Sequence, residues 1–235
     1  MSSGRRIATL CLSALGVSPI VWMLVTIGIQ APAWKIAVHT ALLLIASASP
    51  IVVSDVSVSL IFPVLFPAMV AMDPTGAALI GMIGSIQRVQ LTAGFDILVV
   101  NRVIVGLPTL LGSLAYHAVA ANLGTWSVGS ILAMILSAYV YMAANNLLAV
   151  ATVKIRNPKQ ELKAFSMMVN HVRSFTFSLS IGLVMTFVYT VSEAFFVLLV
   201  ILFYMNREAF YAIVINQNLY AQIINAMVKV IENAD

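Results

Sequence analysis

"SVSLIFPVLFPAMVAMDPTGAALIGMIGS", residues 57–85, is the stretch on which the fold turns. Two apolar runs, 57–72 and 75–90, flank the break MDPTG, where Asp73, Pro74 and Gly76 supply turn chemistry. Each run is about 16 residues long, short of the roughly 20 that a helix needs to cross a hydrocarbon core about 30 Å thick. They are either two tight crossings or a re-entrant pair, and the number of membrane spans depends on which.

Outward from this stretch, further apolar runs bounded by turn residues lie at 7–29, 35–54, 98–121, 127–153, 166–190 and 192–205. Counting both short runs gives eight crossings, with six as the lower bound, and an all-α polytopic bundle as the fold class. The composition agrees: of 235 residues 62% are hydrophobic and 9% charged, with a mean hydropathy of +1.05, outside the range of soluble domains. The run after Arg5 and Arg6 is too long for a secretory signal and reads as the first span. Cys11 lies inside it and, as the single cysteine, reads as a packing residue.

The net charge of +4 and pI near 9.4 do not point to nucleic acid, because the basic residues sit in short loops where membrane topology accounts for them. With the N-terminus inside, Arg5, Arg6, Arg88, Arg102, Arg207 and the loop KIRNPKQELK (154–163) fall on the cytoplasmic side, and Lys35 falls outside. An even number of crossings places both termini in the cytoplasm. A faint internal repeat at an offset near 70 relates 57–72 to 127–142 and LVVNRV (98–103) to MMVNHV (167–172), although the loop lengths disagree.

Ionisable and amide groups at membrane depth are costly, roughly 2.5–3.5 kcal/mol for a charge, so each calls for a partner or a function. Asp55, Arg88, Asp96 and Glu193 lie near span ends and read as charges that reach water. Asn101 with Arg102, and Asn170, His171 and Arg173, sit a few residues inside long spans, where they either lock helices together or line a cavity. Asn145 and Asn146 fall in mid-span and need partners, from a polar ligand pocket or from another helix. Asn101, Arg102, Asn145, Asn146, Asn170 and His171 are the candidate ligand-binding residues. His39 and His117 are isolated and do not suggest a metal site; no cofactor is expected. No nucleophile–base set, paired carboxylates or phosphate loop is present, so the chain itself is not expected to be an enzyme.

After the last span, Ile213, Asn216, Tyr220, Ile223, Met227, Val230 and Ala234 recur at spacings of three and four, the pattern of a coiled-coil seam. The stretch has only Lys229 as a basic residue, which weighs against a helix lying on the membrane surface. A homodimer seam is expected, and with it two parts: a transmembrane domain, 1–205, and a cytoplasmic connector helix, 206–235.

NLYAQIINAMVKVIENAD (218–235) resembles the helix that opens bacterial HD-GYP phosphodiesterase domains, with its run of the form L...L...A...A.D. The patterns VVSDVSVSLIFPVLFPAMVAMDPTGAALIGMIGS (52–85) and LVVNRVIVGLPTLLGSLAY (98–116) resemble multi-span sensor regions attached to such domains. The first pattern is also similar to substrate-binding subunits of energy-coupling-factor vitamin transporters. The HD-GYP resemblance implies a sensor in the bacterial inner membrane, responding to a small-molecule or membrane-derived signal and controlling a cyclic-di-GMP enzyme. Since no His-Asp pair or GYP motif lies within the chain, no catalytic or metal-binding residue transfers. The alternative resemblance implies a small-molecule binding or transport subunit.

Overall fold

The computed structural model describes residues 3–47, 51–53, 56–58, 60–86, 94–121, 123, 127–156 and 161–205, together with 219, 220, 222, 223, 226 and 227. It is a helical bundle. Up to residue 205 the described residues form eight helices: α1 (Ser3–Thr26), α2 (Ala33–Ser47), α3 (Ile61–Ala71), α4 (Pro74–Gly84), α5 (Phe95–Ala120), α6 (Val128–Arg156), α7 (Glu161–Val191) and α8 (Glu193–Met205). Among them α1, α5 and α6 are long and apolar enough to cross a membrane, as a membrane protein requires.

The runs 35–54 and 57–72 are not the continuous helices expected. Helix α2 stops at Ser47, and Ile51–Val53 (β1) pairs antiparallel with Val56–Val58 (β2) before α3 starts at Ile61. The reason lies in IVVSDVSV, residues 51–58, where β-branched residues crowd both sides of Ser54 and Asp55: an averaged hydropathy window sees only apolar residues, whereas the local chemistry is strand–turn–strand. The run 75–90 is likewise cut, since α4 ends at Gly84. At a rise of ~1.5 Å per residue, α3 and α4 are each about 16 Å long, half of a hydrocarbon core.

Why α3 and α4 break where they do follows from three residues. Pro74 pushes the preceding residue out of the helical region, and Asp73 adopts φ −59° and ψ 147°. Pro74 itself takes the first turn of α4, where its missing N–H costs nothing. The Asp73 carboxylate then accepts the Gly76 N–H at 2.8 Å as the N-cap. The two helices fold back on each other, because a Cβ on Gly81 would stand only 3.6 Å from Leu65 Cδ2.

This hairpin is the centre of the molecule. Nine consecutive residues of α3, Phe62 to Val70, are buried, and Leu65, Phe66 and Met69 anchor the main core against Leu43, Met134, Met185 and Phe196. Helix α4 lies antiparallel to α5, with Gly81 against Thr109 and Ser85 against Arg102. Helices α5 and α6 are antiparallel, whereas α1 runs parallel to α5, with Gly16 facing Val103 and Gly106 facing Ile20. The outer surface of α1 carries large apolar side chains, Leu15, Trp22 and Val25 being 71%, 65% and 79% exposed, as lipid rather than water demands.

Candidate functional site

Helix α5 carries Asp96, Asn101, Arg102 and His117 of the polar residues flagged from sequence, and polar side chains on and around it close backbone gaps. Proline at 108 has no N–H to give the carbonyl of Ile104 four residues earlier. Asn145 on α6 supplies the missing donor, its Nδ2 standing 2.7 Å from the Ile104 oxygen. The mid-span amide thus locks α6 to α5 at a proline break. A similar repair operates in α1, where Ser18 Oγ bonds the Leu15 carbonyl that Pro19 leaves open.

Arg102 is buried and caps the C-terminal end of α4. Its Nη1 donates to the Met82 carbonyl at 3.0 Å and to Ser85 Oγ at 3.1 Å. A guanidinium at the negative end of a helix dipole satisfies carbonyls that would otherwise face a dry interior. At the other end of the hairpin, Ser113 Oγ donates to the Met69 carbonyl and His117 Nε2 to the Met72 carbonyl, both at 2.8 Å. Asp73 Oδ1 meanwhile accepts the backbone N–H groups of Gln30 and Ala31, tying the α1–α2 loop to the hairpin tip.

Of the other residues singled out from sequence, Asn146 is buried and Asn101 half-buried on α6 and α5. Asn170 and His171 lie on α7, and their side chains are outside the described residues. Arg102 joins α5 to α4 and Asn145 joins α6 to α5, each by a hydrogen bond to a backbone carbonyl. Of the seam, Tyr220, Ile223 and Met227 are helical and exposed, while Ile213, Asn216 and Val230 lie outside the described residues.

Sequence reasoning missed a second constellation, at the end of the bundle opposite Arg5 and Arg156. Lys35 on α2 and Glu193 on α8 form an ion pair, and the Tyr189 hydroxyl reaches the same carboxylate at 3.5 Å. One turn below Lys35, His39 is 4% exposed. Its Nδ1 lies 3.0 Å from the Lys35 carbonyl, its ring stacks on Phe196 and meets Tyr189 edge-on, and its buried Nε2 has no hydrogen-bond partner among the described residues. A buried polar atom left unsatisfied costs about 1–3 kcal/mol. A cavity of about 290 Å³ opens here, lined by Trp34, Val38, His39, Tyr189, Glu193 and Phe196. A wider cleft of about 400 Å³ lies next to it, between Lys35, Asp73 and His117. The signal for this cluster was faint, because its members stand up to 158 residues apart and only their charge in an apolar chain marks them.

Among the described residues no group of three or more His, Cys, Asp or Glu side chains is placed to hold a metal ion. No protein-family model, no curated protein and no solved structure matches the chain.

Proposed function

We propose that residues 1–205 are the membrane-embedded input domain of a bacterial signalling protein and residues 206–235 its cytoplasmic connector. In this reading the chain crosses the inner membrane an even number of times, six or eight, with both termini in the cytoplasm, and the connector pairs with a second copy to control a cyclic-di-GMP enzyme of the HD-GYP type. The observation that supports it is the exposed apolar stripe beyond α8: Tyr220, Ile223 and Met227, at helical spacings of three and four, are 68%, 53% and 63% exposed. Beyond the bilayer such a stripe faces water unless something covers it, and a copy tethered by the same last helix meets it in parallel register. The identity of the output rests on the resemblance of 218–235 alone.

Cysteine cross-linking tests the pairing. In a Cys11→Ser background, Ile223→Cys and Met227→Cys should form disulfides between copies under mild oxidation, and Asn225→Cys and Lys229→Cys should do so poorly. Equal yields at all four positions would mean that no defined seam exists.

A second reading, a small-molecule binding or transport subunit, has one specific observation in its favour. Half-length helices buried inside a bundle, with polar termini held by neighbouring helices, are how transporters build sites at membrane depth. That reading needs no self-pairing of the connector, so the four cysteine variants separate it from the first.

A further inference from the structure

The geometry points to a binding site for an anionic phospholipid where the first turns of α1 meet the last turn of α6: the arginines there hold the headgroup, and the apolar surface beneath them takes the chains. Arg5 Nη1 donates to the Arg156 carbonyl at 3.4 Å, which brings together two arginines 151 positions apart. That bond answers one of the open carbonyls at the end of α6 and leaves the other N–H groups of the Arg5 guanidinium to point onward. The guanidiniums of Arg6 and Arg156 have no hydrogen-bond or ion-pair partner among the described residues. Lys154 adds to the same positive end, and the one carboxylate there whose side chain is described is Asp96, at the start of α5. The opposite end of the bundle is built differently, since Lys35 is paired with Glu193. Cations left without a protein carboxylate at a membrane surface are suited to an anion from outside the chain.

The surroundings define which anion. A guanidinium presents its N–H groups in a planar fork that matches the oxygens of a phosphodiester. A Cβ on Gly4, beside Arg5, would meet nothing within 4 Å among the described residues, so the approach to the arginine is open. Below the charges the surface turns to carbon: Ile7 and Leu10 on α1 are 58% and 44% exposed, and Leu147 on α6 is 72% exposed. At a rise of ~1.5 Å per residue Leu10 lies about 8 Å below Arg5, and Leu147 about 14 Å below Arg156. Those are the depths of acyl chains under a headgroup, and both helices are long and apolar enough to cross the bilayer. A soluble phosphate would use the charge and none of the apolar surface. A zwitterionic phospholipid would use the surface but bring an ammonium group to an end that already carries excess positive charge.

The site is independent of the connector, so failure of cross-linking leaves it standing and its own failure leaves the seam standing. Cys11, the single cysteine, is exposed on α1 six residues from Arg5, and a bimane attached to it reports lipid beside this stretch. The test uses the full chain in phosphatidylcholine vesicles, with chain-brominated phosphatidylglycerol or chain-brominated phosphatidylcholine as the quencher, and reads the ratio of the two apparent affinities. Because both are measured on one preparation, a variant that folds less completely lowers both alike. Phosphatidylglycerol should be preferred by about tenfold or more, and Arg5→Gln and Arg156→Gln should each reduce the preference about fivefold. Lys35→Gln removes the same charge at the other end and should leave the preference in place, as should soluble glycerol 3-phosphate added in excess. Equal quenching by the two lipids, a preference that survives both arginine variants, or a loss as large in Lys35→Gln overturns the proposal. Loss of the preference on adding glycerol 3-phosphate would mean a site for free phosphate and overturns the lipid assignment.

Discussion

Helix α1 and the α3–α4 hairpin are both apolar enough to read as membrane segments, yet they solve opposite problems. Helix α1 is 24 residues long and turns large side chains outward over most of its length, whereas α3 is 11 residues long and buries nine in a row. For α1 the surrounding solvent is lipid, and it needs only length and internal backbone bonding. For the hairpin the solvent is protein: every end group must find a named partner, and every close approach must be cut to fit. Gly84 shows the second condition, since a Cβ there would come 2.7 Å from Leu43 Cβ. Hydropathy does not distinguish the two environments, because a residue shielded by lipid and one shielded by protein look alike in composition.

The sharpest way to break this contrast is to remove comparable apolar groups from each region and follow equilibrium unfolding of the full chain in mixed micelles. Phe66→Ala, at a side chain with no exposure, should cost about 3–5 kcal/mol. Val25→Ala, at 79% exposure on α1, should stay within about 0.5 kcal/mol. Equal losses would mean that the hairpin is no better packed than a lipid-facing helix. Next in size, Arg102→Met keeps an unbranched apolar stem but frees the Met82 carbonyl and Ser85 hydroxyl, at a cost of roughly 1.5–3 kcal/mol. A smaller effect, about 0.6–1.7 kcal/mol, is expected of Asn145→Leu, which removes the interhelical bond to Ile104. Combined with Pro108→Ala, which restores a backbone N–H to that carbonyl, the Asn145→Leu loss should shrink; a loss of unchanged size would show that the amide is not there to repair the proline gap.

The contrast also explains what could be read from the sequence. The long helices were legible: runs at 98–121 and 127–153 stand against Phe95–Ala120 and Val128–Arg156, and the break at Asp73 and Pro74 falls where its turn residues put it. Asn145 was legible as an amide in need of a partner, but not as the complement of Pro108, because the two stand on different helices. The β1–β2 ribbon was hidden by its own hydrophobicity. The Lys35, His39 and Glu193 cluster was hidden by distance along the chain: taken singly, each has an ordinary explanation, and only folding puts the ion pair over a buried imidazole whose Nε2 has no partner among the described residues.

The polar corner of the hairpin also sets a schedule for biosynthesis. The carbonyl of Met72 is answered by a histidine 45 residues further on, and that of Met69 by a serine 44 residues on. At about 5–20 residues per second, His117 is added some 2–9 s after Met72. From the completion of Gly84 to the end of that interval, α3 and α4 exist without the helix that completes them, each too short to hold a place in lipid alone. The hairpin must therefore wait at the membrane surface or in the care of the insertion machinery until α5 arrives, and its final position is reached out of chain order.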